Sequence, residues 1–408
     1  MNDDMENRPS NKKEKIIEAA VGIFAEKGFN ATTISDLAKT AHVGEATIYN
    51  HFENKLEILL SLIVPYGNDF ISGFHEHLRG LKDPEEKLRR FIWFTLKWCQ
   101  QHRNCTKILL VDIISLPQFY QSEGYALLRK ASFLPLDFLD EGIERGMFRV
   151  DTNKDMFHRL VFGILLYVVL NRIMLNRSFE LLDHFDDIAN VILSCVKAGQ
   201  TDSPVGFTKK NDKRERILLA GEMLFSRKPS GETTIAEIAH AARVADGTIY
   251  DYFKNKEELL FRIFNHRMKD FLTTFNETIS PKRSISKLKM GVYHFLWWVQ
   301  NNQSWAKVYI KDIVSNPRFY QSSLYKFKLK HDQALLELFE EGVEAGDLNS
   351  SLTSDIFLSV IFGPIHIICL PWAILDHSDS LTAHLDDLFE LINRILRNPD
   401  PVNRGGAS

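Results

Sequence analysis

The feature that most constrains this chain is that it matches itself from end to end. The segment GEATIYNHFENK at 44–55 returns as DGTIYDYFKNK at 246–256. KEKIIEAAVGIF from Lys13 aligns with RERILLAGEMLF from Arg214, and TTISDLAKTAHV from Thr32 with TTIAEIAHAARV from Thr233, at one constant shift of 201. Further on, VDIISLPQFYQS around Asp112 meets KDIVSNPRFYQS around Asp312 at a shift of 200, so one residue has been lost between the two regions. The match continues through Trp98 with Trp298, Glu141 with Glu341, Gly163 with Gly363 and His184 with His384. A repeat this long is a duplicated domain, because solenoid units recur every roughly 20–45 residues.

Two domains also suit the length of 408 residues, since single cores stop growing beyond roughly 250–300. Between the copies, 198–212 reads AGQTDSPVGFTKKND, a linker with turn residues and no apolar period. Stretched out it reaches about 50 Å, and as a coil it averages about 20 Å. Only 21 Gly and 13 Pro interrupt the chain, and no alternating strand pattern is present; each copy reads as about nine helices, three short and six longer. The polar, acidic N-terminus lacks the apolar run of a secretory signal. The greasiest run, LVFGILLYVVL at 160–170, falls short of the ~18 residues of a membrane span and reads as a buried helix. Four scattered cysteines, Cys99, Cys105, Cys195 and Cys369, fit reduced cytoplasmic thiols, with a Cys99–Cys105 redox pair as the alternative.

A net charge of −3 gives no global sign of nucleic-acid binding, so that function has to rest on local residues. In 33–52, TISDLAKT forms a helix capped by Thr33 with Asp36, His42 and Val43 lie in a tight turn, and EATIYNHF forms a second helix. Ala38, His42 and Ile48, repeated as Ala239, Arg243 and Ile249, have the spacing that packs a helix-turn-helix. The turn position favours glycine, yet holds His42 and Arg243.

Phe24, Gly28, Phe29, Thr33, Thr47, Tyr49, Phe52 and Lys55, with Phe225, Thr234, Thr248, Tyr250, Phe253 and Lys256, follow a pattern that closely resembles the TetR family of bacterial repressors. In the second copy Pro229 and Ser230 replace the family's Gly-aromatic turn, so its first turn must differ. The resemblance implies an all-α fold of two tandem units, each a three-helix head with a helix-turn-helix and a six-helix body for ligand and dimerisation. The expected boundaries are 1–56 and 213–257 for the heads, 57–197 and 258–398 for the regulatory bodies, and 198–212 for the linker. On the same resemblance Thr33, Thr234, Lys55 and Lys256 would hold phosphates at helix starts. Tyr49 and Tyr250 would reach phosphates by their hydroxyls, Thr47 and Thr248 a base edge, and His51 and Tyr252 lie one turn on along the same face.

Relatives of this kind are pairs of chains joined through their last two helices. Here 155–175 with 183–198, and 355–375 with 381–397, supply both halves, and Gly163 and Gly363 would let backbones meet. The expectation is an intramolecular pseudo-dimer, a monomer rather than a homodimer, reading a double-stranded DNA operator in the cytoplasm with no membrane and no cofactor. Pro364 and Pro371 should make the symmetry imperfect. The aromatic stripes Trp93, Phe94 and Trp98, and Phe295 with Trp298, read either as core or as an effector pocket. Lys97, Asp112 and Asp312 would be its polar groups, though the two aspartates also fit as helix caps. The implied effector is a small apolar or aromatic molecule, acyl-CoA among the candidates. Two alternatives stand beside this reading: a regulator with one DNA-competent head, and an enzyme. The scattered histidines form no HExxH, nucleophile elbow or phosphate loop, and neither a catalytic nor a metal site is expected.

Overall fold

The computed structural model describes residues 12–196, 213–278, 284–375 and 379–397. The expected linker, the N-terminal segment up to residue 11 and the basic side chains from Lys209 to Arg216 lie outside the described residues. The first repeat forms α1 (Lys12–Lys27), α2 (Ile34–Thr40), α3 (Glu45–Tyr49), α4 (Lys55–Ser61), α5 (Ile63–Leu78), α6 (Pro84–Gln101), α7 (Arg103–Ile108), α8 (Glu123–Glu144), α9 (Lys154–Met174) and α10 (Phe185–Ser194). The second forms α11 (Lys213–Arg227), α12 (Ile235–Ala242), α13 (Asp246–Tyr252), α14 (Lys256–Thr278), α15 (Ser284–Asn301), α16 (Gln303–Val308), α17 (Pro317–Gln321), α18 (Lys326–Glu344), α19 (Ser354–Ile374) and α20 (Leu385–Leu396). A π turn follows α7 at Leu109–Ile113 and α16 at Tyr309–Ile313. The described residues are helical as expected, with no named strand.

Among the described residues each repeat forms ten α-helices, close to the nine or so expected, and α1 runs to 16 residues. The repeats also differ in a way the periodicity does not reveal. α4 and α5 break at Leu62, whereas α14 runs through the matching region. Pro65 is the cause: it cannot donate to the carbonyl of Ser61 and its ring crowds that turn, while the second copy has His266 there.

The structure divides into two compact units, Met1–Asp137 and Phe138–Ser408, and the division falls within α8. The first unit holds the first head and most of its body. Ile16, Ala20, Phe24, Leu37, Ala38, Ile48 and Phe52 form the head core, which continues into Cys105, Ile108, Ile113 and Phe119 of the body. All four cysteines are free and buried, and burial pushes each thiol up to about 12, which leaves them unreactive.

The second unit holds the second repeat together with α9 and α10 of the first. There α9 lies along α19, and α10 packs on α9 and α20, so two helices from each repeat form one four-helix bundle. At its crossing the two glycines face each other: a Cβ on Gly163 would come 2.4 Å from the carbonyl carbon of Gly363, and one on Gly363 2.5 Å from that of Gly163. Helix α19 continues through Pro364 and Pro371. The nitrogen of Pro364 sits in the same close approach, where a residue without an N–H leaves no donor to satisfy. Polar ties cross the bundle, Asn153 to Asp387 at 2.7 Å, Arg177 to Asp355 at 2.9 Å, and the buried Arg394 to the carbonyl of Cys195 at 3.1 Å. Both α9 and α19 are long and apolar enough to cross a membrane, beyond what the run at 160–170 suggests. Burial of that apolar surface within the bundle accounts for their composition.

Candidate nucleic-acid interface

Each head builds its helix-turn-helix by the same local chemistry. Thr33 accepts from the amide of Asp36 at 3.1 Å while its own amide donates to the Asp36 carboxylate at 3.0 Å; Thr234 and Glu237 repeat this at 3.2 and 2.8 Å. The Thr33 bonds, with Lys27 beside them, hold Asp36 down to about 2, and Lys228, with the Thr234 bonds, does the same for Glu237. After the helix the chain turns through left-handed residues, φ 54° at His42 and 56° at Arg243, although neither is glycine. Ile48 and Ile249 then plug the head core.

Opposite those isoleucines the recognition helices present Tyr49 and Tyr250, 56% and 57% exposed, with Thr47 and Thr248 half-buried beside them. Near-equal exposure of two aromatic side chains in separate repeats marks a surface that the fold keeps open. The helices are not equal, however. α3 ends at Tyr49, placing His51 in the following turn, whereas α13 continues to Tyr252 and keeps that exposed ring helical.

Four of the ten expected DNA contacts prove to be engaged within the heads. The amide and hydroxyl of Thr33 both donate to Asp36, and those of Thr234 to Glu237. Lys55 reaches across the head, donating to the carbonyls of Phe29 and Thr32 at 2.7 Å each and covering the Phe29 ring at 4.4 Å. Lys256 donates to Gly231 and Thr233 at 3.2 and 2.7 Å. The lysine that opens the helix after the recognition helix, Lys55 of α4 and Lys256 of α14, thus serves as a staple on the first turn of the head.

That turn is also held from the body. The amide of Phe29 donates to Asp112, and the amide and hydroxyl of Ser230 donate to Asp312 at 3.2 and 2.6 Å. The second turn forms without the left-handed Gly28 of the first, as Pro229 requires. Asp112 and Asp312 therefore cap the heads rather than line an effector pocket, the second of the two roles the sequence allowed. Burial pushes Asp112 up to about 6, against the opposing effect of the Phe29 amide. Because its folded value is raised, the stability it confers is present at low pH and lost as pH rises through about 6. Asp112→Asn keeps an acceptor for Phe29 without the buried charge. Urea unfolding of this variant is expected to show a gain of about 1–3 kcal/mol over the parent at pH 7 that vanishes near pH 4.

The aromatic stripes divide as well. Phe94 is buried among Phe70, Phe74 and His77; Trp98 donates to Asp69 at 3.3 Å, and Lys97 lies 4.5 Å over Trp93. In the second repeat Trp298 packs on Phe271, while Phe295 lines an internal cavity of about 40 Å³ with Tyr309, Tyr320, Lys328 and His331. A cleft of about 340 Å³ shares Tyr167, Asn171 and Lys328 with it. Sequence reasoning missed Lys328, Asp332, His331 and Tyr309, though comparing the repeats would have found them: the first copy has Leu128, Ser132, Ala131 and Leu109. Among the described residues no cluster could hold a metal ion.

Paired capped helices with an exposed second helix define a helix-turn-helix protein. Residues 16–62 and 217–263 match the model for bacterial regulatory proteins of the tetR family, and 67–195 the model for the YsiA-like protein C-terminal region, together more than half of the chain. The chain belongs to the TetR family of transcriptional regulators, with the unit duplicated in tandem, and is not an enzyme. It is similar to the HTH-type transcriptional repressor KstR2 of Mycolicibacterium smegmatis, 24% identical over 39% of this chain and 78% of that one. The fatty acid metabolism regulator protein of Bacillus subtilis is 25% identical over 45% of this chain and 95% of its own length. Among solved structures, the transcriptional regulator FadR from Bacillus subtilis in complex with stearoyl-CoA has a TM-score of 0.41 at 27% identity, covering 44% of this chain and 97% of that one.

Proposed function

We propose that this regulator is a cytoplasmic repressor that grips one double-stranded operator with both of its heads, as an intramolecular pseudo-dimer, and lets go when a small apolar or aromatic effector binds. The observation that carries this reading is the bundle in which α9 and α19 meet at Gly163 and Gly363, the surface through which separate chains would otherwise pair. A tether holding two such halves gives an effective concentration on the order of millimolar, which favours self-pairing. The functional boundaries are the expected ones: heads at 1–56 and 213–257, bodies at 57–197 and 258–398, joined through 198–212. Tyr49, Thr47 and His51 in one head, and Tyr250, Thr248 and Tyr252 in the other, are the contacts assigned to DNA. Asn50 against Asp251 and His51 against Tyr252 make the two surfaces unequal, so the operator is read as an imperfect palindrome.

The cavity supports effector control because one of its walls is also the head's anchor. Tyr309 and Ile310 line it from the π turn whose Asp312 holds Ser230, so a ligand that moves this turn pulls on the second head. An apolar effector is in keeping with that lining. A fatty-acyl compound, suggested by the fatty acid metabolism regulator among the relatives, remains one member of the class.

One-headed binding is the second reading, favoured by the exposed Asp251 on α13, where the first head has the neutral Asn50 just past the end of α3. Tyr49→Phe and Tyr250→Phe, made separately, distinguish the two. Each change is expected to weaken operator binding about fivefold, the worth of one hydrogen bond, with the salt dependence unchanged because the hydroxyl is neutral. An effect from Tyr49→Phe alone would leave the second head without a DNA role.

A further inference from the structure

We infer that the chain carries a single effector site, built in the second repeat and closed by α9 of the first, that takes a neutral apolar molecule bearing a hydroxyl group. The inference deepens the effector-controlled reading above and rests on it. Lys328 and Asp332 form an ion pair on α18, and Asp332 also lines the cleft of about 340 Å³. The side chain of Asp332 is 9% exposed, and its Oδ1 has no hydrogen-bond partner in the protein. A buried ion pair left half-satisfied is costly, and a ligand group able to donate to Asp332 and accept from Lys328 would complete it. A hydroxyl does both.

Charge points the same way. Besides the Lys328–Asp332 pair, the cleft contains Arg177 bonded to Asp355, and Arg172 bonded to the carbonyl of Ser178 and to His184. Four of these five charges are paired with one another and the fifth, Arg172, is bonded to Ser178 and His184, so each already has a partner in the protein and a neutral ligand disturbs none of them. Deeper in, Phe295, Tyr309 and Phe362 line the cavity, with His331 and His366 held by burial down to about 3 and about 4 and thus uncharged. At about 40 Å³ that cavity has room for only a few waters, so a ligand's apolar body occupies the cleft and its end widens the cavity against Tyr309.

The first repeat cannot repeat this site from its sequence. Leu128 and Ser132 stand where Lys328 and Asp332 are, Leu166 where His366 is, and the residues matching Tyr167 and Arg172 of α9 are Ile367 and Trp372. A homodimer of identical chains would have two equal sites; this chain has one.

The test uses the full chain and three probes of one shape: 4-octylphenol, octylbenzene and 4-octylbenzoate, titrated by calorimetry. The expected result is one phenol per chain, bound at least tenfold tighter than either analogue. In the double variant Lys328→Met with Asp332→Leu, which removes the pair without stranding a charge, the phenol should fall to the affinity of octylbenzene while the thermal midpoint holds. Two equal sites, strongest binding by the benzoate, no binding of the phenol, or an unchanged preference in the double variant would each overturn the inference. Operator binding of the same preparation, measured without probe, reports separately on the regulator reading.

Discussion

Leucine in place of Gly163 is expected to collapse the bundle that joins the two repeats. A Cβ there would sit 2.4 Å from backbone carbon and 2.5 Å from backbone oxygen and nitrogen of the facing helix, and backbone cannot rotate aside as a side-chain tip can. The helices would have to separate, stripping contact along two apolar spans. The cost is put at about 3 kcal/mol or more, equivalent to a fall of roughly 6–12 °C in the melting transition of a unit this size. Gly363→Leu should do the same, since its Cβ meets Gly163 at 2.5 Å. Gly22→Leu in α1, where a Cβ meets nothing within 4 Å, is the control and should leave the transition within about 2 °C. Scanning calorimetry of the three variants checks the prediction.

The second large effect concerns the joint of the second head. Arg267 on α14 holds Glu222 on α11 through two bonds of 2.7 and 3.0 Å, with the side chains only 10% and 6% exposed. Arg267→Met would strand a buried carboxylate and is expected to destabilise by about 3–5 kcal/mol. The first repeat shows how the same joint is made without charge, having Val21 and Tyr66 at the matching positions. Glu222→Val with Arg267→Tyr should therefore recover most of the loss. Denaturant unfolding of the single and double variants measures both, and a double variant no better than the single one would mean that the two joints are packed differently.

These cases also show what could be read from the sequence. The heads were legible because their isoleucines, phenylalanines and capping threonines follow short-range spacing, and the glycines at 163 and 363 announced a close crossing. The direction of polar side chains was not. Thr33, Thr234, Lys55 and Lys256 sit at helix starts, where phosphates bind in general, but their donors turn inward to close the capping boxes and staple the first turn. Asp112 and Asp312 looked equally fit for a ligand, and only the path of the turn at Phe29 and Ser230 decided their role. The break at Leu62 follows from Pro65, a single residue inside an otherwise continuous apolar period. The cleft of about 340 Å³ was out of reach for a different reason: Tyr167 and Asn171 come from the first repeat and Lys328 from the second, and no periodicity within either copy brings them together.

The most direct test of the account is the mass of the complex with a single operator duplex, measured by sedimentation at protein concentrations in the low micromolar range. One chain per duplex, with a footprint spanning two half-sites and lost on Gly163→Leu, is the predicted result. Two chains on one duplex, or a stable dimer of chains without DNA, would contradict it.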